Sequence, residues 1–88
     1  MITNVVKKSF VFVIQLEVTT YTTARIMTLF MERSIEIDEF HFYAVDKSHG
    51  RLMIYCQMER DRIGRTAVLL DKFPGILKLD WMESKRRL

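Results

Sequence analysis

The order of hydrophobic patterns along this chain predicts an α+β fold of βαββαβ order, a four-stranded antiparallel sheet with two helices on one face. Three observations carry that prediction. Two runs of period-two alternation each lead into a stripe of helical period, and each stripe is followed by another β-prone run. A polar turn, DKSHG at 46–50, joins the two middle runs. The chain has 88 residues, 49% of them hydrophobic, with three Gly and one Pro, a composition that folds and a length that suits one domain.

The first run, KSFVFVIQLE from Lys8 to Glu17, sets Phe10, Phe12, Ile14 and Leu16 on one side and Ser9, Val11, Val13 and Gln15 on the other. From Thr20 to Arg33 the residues Thr23, Ile26, Met27, Leu29 and Phe30 form a helical stripe, with threonines before it to cap its start. SIEIDEFHFYAV, 34–45, is rich in β-branched and aromatic residues, but its alternation changes phase between Ile37 and Phe40. A β-bulge near Asp38 and Glu39 reconciles the two halves. The turn then closes a hairpin onto RLMIYCQM. Asp61 is placed to cap a second helix with Ile63, Ala67, Leu70 and Phe73 on one face, ended by Pro74 and Gly75. ILKLDWM is the last strand. The domain is expected over 8–82, with an N-terminal extension at 1–7 and a basic tail at 83–88.

This order is the split βαβ, or ferredoxin-like, arrangement. Two helices cover one face of such a sheet, so Val11, Val13, Met53 and Tyr55 are expected together on the other, where an apolar patch calls for a cover. The predicted core is Phe10, Phe12, Ile14, Ile26, Phe30, Ile54, Cys56, Ile63, Leu70 and Leu79. Cys56, the single cysteine, cannot form an internal disulfide and reads as a core thiol.

The net charge of +3 suits nucleic acid or plain solubility. No apolar run approaches the roughly 20 residues of a membrane-spanning helix, and no leader pattern opens the sequence, so a cytoplasmic protein without membrane contact is expected. RNA-binding domains of this topology carry aromatics on both central strands. Here strand three offers Tyr55 but strand one offers valines, and Arg60, Arg62, Arg65 and the tail residues Lys85, Arg86 and Arg87 read as solvated faces, so no nucleic acid is expected. Asp38, Glu39 and His41 are too few for a structural metal site, and His49 is a turn residue. No nucleophile elbow, P-loop or Cys–His pair is present, and neither catalysis nor a cofactor is expected.

With those elements in place the chain resembles an ACT domain, the amino-acid-sensing module of biosynthetic enzymes. The resemblance spans about residues 8–82. It rests on the phase of Glu17 with Ala24, Arg25, Ile26, Leu29 and Phe30, on MERSIEI, and on LLDKFPGILKL, which is similar to the end of the small regulatory subunit of acetolactate synthase. The chain's length is similar to that subunit's short form. The resemblance implies a non-catalytic regulator with a catalytic large subunit as partner, or a stand-alone sensor or assembly module. It also implies a small amino-acid effector near Val18, Thr19, Thr20, Tyr21, Thr22, Thr23 and Glu36.

Amino-acid-binding members of the family usually place Asn or Asp, then Pro-Gly, then Leu after strand one, and an Asn amide on strand two. Here Val18, Thr20, Tyr21, Thr23 and Glu36 stand in those places. A tyrosine where a backbone would approach a ligand obstructs it. Two readings of Thr19 to Thr23 stay open: hydroxyls that satisfy helix-end donors, or a modified pocket in which hydroxyls and helix N–H groups receive a carboxylate. The family is also known for joining sheets edge to edge. In a 4-1-3-2 sheet, strand two is an edge without Pro or Lys, and Phe40, His41, Phe42, Tyr43, Ala44 and Val45 are the expected contact of a homodimer or higher oligomer.

Overall fold

The computed structural model describes residues 6–17 and 20–85, so expectations placed on residues 1–5, Val18, Thr19 and 86–88 lie outside the described residues. Its elements are β1 (Lys7–Glu17), α1 (Thr20–Glu32), β2 (Glu36–Ala44), β3 (His49–Glu59), a 3-10 turn (Arg60–Arg62), α2 (Ile63–Asp71) and β4 (Ile76–Glu83). The strands form one antiparallel sheet in the order β2-β3-β1-β4. This is the predicted topology, with β1 and β3 central and β2 and β4 at the edges.

Side-chain alternation divides the sheet cleanly. Phe10, Phe12, Ile14 and Leu16 of β1 and Leu52, Ile54, Cys56 and Met58 of β3 are buried with Ile26 and Phe30 of α1 and Ile63, Ala67 and Leu70 of α2. Phe12 and Phe30 meet edge to face, with ring centroids 5.9 Å apart. Nine of the ten expected core residues are in this cluster, and Leu79, on edge strand β4, packs against it only partly buried. Burial, with a smaller contribution from Asp38, pushes the Cys56 thiol up to about 12, so it remains a neutral core group.

The bulge falls where the alternation breaks. Ile37 pairs with Cys56 and Glu39 with Tyr55, leaving Asp38 as the extra residue. Gln57 donates to both Asp38 oxygens at 3.2 Å, which anchors the bulge to β3.

Three local expectations are corrected. In α1 the buried positions are Thr22, Ile26 and Phe30, spaced by four, whereas Thr23 and Met27 are only half-buried. Asp61 does not cap α2. It lies inside the 3-10 turn, and the helix starts at Ile63 without a side-chain cap from Arg62. The turn is held instead by Arg62, which bonds Glu59 at 3.1 Å and the Arg33 carbonyl at 2.9 Å. The β-prone segment at 34–45 does not begin as strand. Ser34 has φ 53, its N–H bonds the Met31 carbonyl, and the Ile35 N–H bonds the Phe30 carbonyl, which terminates α1 with serine in a left-handed position normally given to glycine. Among the described residues no helix is long and apolar enough to cross a membrane.

Candidate functional site

Three surfaces bear on function: the entrance of α1, the β2 edge and the helix-free sheet face. The entrance is built by two loops that meet. Glu17 N–H donates to the Gly75 carbonyl at 2.8 Å, and Thr22 Oγ1 donates to the Pro74 carbonyl at 3.4 Å. Gly75 has φ 91, and a Cβ there would stand 3.3 Å from Thr22 Oγ1, so both its conformation and its closeness to α1 favour glycine.

Tyr21 does not plug this junction from inside; it is 68% exposed. Its hydroxyl accepts from Arg25 at 3.1 Å, and the Arg25 guanidinium lies 5.3 Å from the Tyr21 ring centroid and 5.6 Å from that of Phe73. The cation is thereby layered against two aromatics. The space left among Tyr21, Thr22, Arg25, Phe73 and Pro74 is about 20 Å³, which admits a water but not an amino acid, since small-molecule pockets run to roughly 300–1,000 Å³. A shallower cleft of about 240 Å³ runs along α1 beside Arg25, Thr28, Leu29, Glu32 and Phe73.

The structure brings Tyr21 and Thr22 to this entrance, with Thr23 half-buried on the next position of the helix; of Thr20 only the backbone is described. Val18 and Thr19 lie outside the described residues. Glu36 is not brought there. It pairs with Gln57, which pairs with Ser9, whereas α1 follows Glu17, whose partner is His49. Eight residues of β3 separate those rows, roughly 26 Å along the sheet. Within one chain Glu36 therefore faces no part of the α1 entrance. Phe73, expected on the core face of the second helix, lies instead beyond the helix end at Asp71, in the α2–β4 connection, and its part in this entrance was not foreseen. The Tyr21–Arg25 spacing of four was the available signal.

At the β2 edge, Phe40 packs against the core, while Phe42, Tyr43 and Val45 are 41%, 52% and 68% exposed. The Phe42 ring lies directly over Gly50, where a Cβ would come within 2.8 Å of it. His41 stacks on Tyr43, meets Tyr55 edge-on, and places Nε2 2.8 Å from Glu39 Oε1. Among the described residues no group of three or more His, Cys, Asp or Glu could hold a metal ion. His49 opens β3 rather than lying wholly in the turn. Asp46 Oδ1 accepts from the Ser48 and His49 N–H groups, both at 2.8 Å, and these bonds with the His49 ring hold the Asp46 carboxyl below its ordinary range.

The helix-free face carries Val11, Val13, Met53 and Tyr55 side by side, as expected. Val11 is 6% exposed and the other three are half-buried.

No family model matches the chain, and no curated protein sequence does. Its fold is nonetheless shared widely among solved structures. The C-terminal domain of the MgtC protein from Mycobacterium tuberculosis superposes with a TM-score of 0.73 at 13% identity, covering 97% of this chain and 95% of that one. The ACT domain of GTP pyrophosphokinase from Chlorobium tepidum gives 0.73 at 14% identity, over 86% of each chain. An uncharacterized protein from Thermotoga maritima gives 0.73 at 17% identity, covering 91% and 100%. The class these likenesses define is the ACT-like α+β fold.

Proposed function

We propose that this chain is a non-catalytic regulatory module that works by associating with other chains, and more specifically that it is the small subunit of an acetolactate synthase-type enzyme of branched-chain amino-acid biosynthesis. The observation that carries the general reading is the contrast between its surfaces. The α1 entrance leaves only about 20 Å³ beside the Arg25 cation layered on Tyr21 and Phe73, whereas the β2 edge and the opposite sheet face present apolar groups outward. Such surfaces suit docking better than catalysis or capture of a small molecule. The specific reading is supported by the similarity of LLDKFPGILKL to the end of that subunit, a segment whose Pro74 and Gly75 join the α1 entrance.

Native co-purification followed by an activity assay tests it. A thiamine-diphosphate enzyme should accompany the chain, and adding the purified chain should change the rate of acetolactate formation. A partner of another class, or no change in rate, would remove the specific reading. If the chain then forms only homo-oligomers at near-physiological concentration, the stand-alone assembly module, favoured by its exposed β2 edge, replaces it.

A further inference from the structure

We infer that a second copy of this chain seats on the helix-free sheet face, its strands antiparallel to those of the first. Antiparallel sheets that face water on one side normally alternate apolar-in and polar-out. Here both central strands depart from that rule over two successive rows. One row across the sheet is His41, Met53, Val13 and Asp80; the next is Glu39, Tyr55, Val11 and Met82. Strands about 4.8 Å apart with a rise of about 3.3 Å make this face roughly 19 by 30 Å, or about 570 Å², below the ~800 Å² that each partner gives to a standard interface and in the range of a weaker one.

Charge identifies the occupant as a second copy and selects how it lies. Beyond the two apolar rows, one end of the face carries Arg51 and Lys78 on either side of Gln15. The other end carries Asp38 bonded to Gln57, with Glu36 beside it and, one row further out, Lys7 opposite Glu59. Among the described residues Arg51 makes no ion pair. A two-fold axis in the contact plane, perpendicular to the strands and passing between the two apolar rows, superposes the basic end of each copy on the acidic end of the other. Val13 then lies over Val11, Met53 over Tyr55, His41 over Glu39, and Arg51 over the Asp38–Gln57 pair. An axis parallel to the strands would instead set Arg51 over Gln15, His41 over Asp80 and Glu39 over Met82. Since the perpendicular axis likewise leaves one carboxylate, Asp80, over Met82, the two differ in Arg51, which only the perpendicular axis sets against a carboxylate. The first arrangement is self-complementary where it matters, the Arg51 cation of each copy meeting the acidic end of the other.

Sedimentation equilibrium at micromolar concentration tests the contact, with circular dichroism to confirm folding. It is run in the Phe42→Pro background, so that pairing through β2 does not contribute. A dimer is expected. Val13→Lys and Arg51→Glu should each weaken it by about tenfold or more, and Arg51→Lys should retain it. Arg51 is exposed, so its variants decide the matter if Val13→Lys fails to fold. A monomer in the Phe42→Pro background, or a dimer indifferent to both Val13→Lys and Arg51→Glu, overturns the inference and gives this face to another partner or to none.

Discussion

At the scale of single residues, Ser34 and Tyr21 each stand where a smaller residue would be easier to accommodate. Ser34 ends α1 at φ 53, a conformation that costs an L-residue roughly 1–2 kcal/mol and glycine almost nothing. Glycine also adds freedom to the unfolded chain, which offsets about half of the gain. Ser34→Gly is therefore expected to stabilise the protein by up to about 1 kcal/mol in urea denaturation. A loss of stability would mean that the serine side chain contributes to the α1–β2 passage. Tyr21 keeps its ring outside the entrance yet fixes Arg25 there. Titration calorimetry with valine, leucine, isoleucine or serine should show no binding below millimolar concentration. In Tyr21→Gly the Arg25 cation loses one aromatic face and its hydroxyl acceptor, so any carboxylate binding should rise rather than fall. Submillimolar binding by the unaltered protein would contradict this picture.

At the scale of elements, α1 and β1 hold each other through one aromatic pair, and β2 is held from one side only. Phe12 and Phe30 are both fully buried and meet edge to face. Truncating either to Ala should cost about 3–5 kcal/mol, a large share of the stability of so small a domain. A loss below about 1 kcal/mol would show that the site collapses around the gap. Among the described residues β2 pairs with β3 alone, and Phe42 and Tyr43 of β2, with Val45 just after it, are exposed. Light scattering of the wild type and of Phe42→Pro reads that edge. The substitution should lower the mass of the assembly by breaking strand pairing. An unchanged mass in a folded variant would move the contact to β4 or the helix-free face.

At the scale of the whole molecule, most of the architecture was legible because both periodicities are strong where burial is deep. The alternation of KSFVFVIQLE placed β1 at the centre of the core, and the phase slip at Asp38 marked the bulge. What was not legible depends on contacts between segments distant in sequence. Thr22 is buried rather than Thr23 because the Pro74–Gly75 loop closes over it. The missing Asp61 cap reflects a short turn that Arg62 stabilises from the side, by reaching the end of α1. Glu36 looked like a neighbour of the threonine segment through resemblance, but strand register alone sets its distance. Two carboxyls held low contribute to the molecule's acid response. Asp46 is lowered mainly by the Ser48 N–H and then by His49, from 3.8; Glu59 is lowered mainly by its own backbone bond and then by Arg62, from 4.5. Each contributes stability that is present above those values and lost as pH falls through the lower folded-state values. The urea midpoint should thus decline below about pH 4, and Asp46→Asn with Glu59→Gln should flatten that decline.

The pairing of β1 with β4 has a mechanical consequence. Phe10 lies opposite Glu83, and the Ser84 N–H continues the ladder to the Ser9 carbonyl, so the start of the first strand and the end of the last sit together at one end of the sheet. Force applied between Lys7 and Glu83 would load the rungs of that ladder one after another, as in opening a zipper, rather than all at once in shear. The domain should therefore yield at low force despite its packed interior. A tether joining those two points would span roughly 11 Å, three residues of rise and one inter-strand gap, making this end of the sheet a natural place to reconnect the chain in a permuted order.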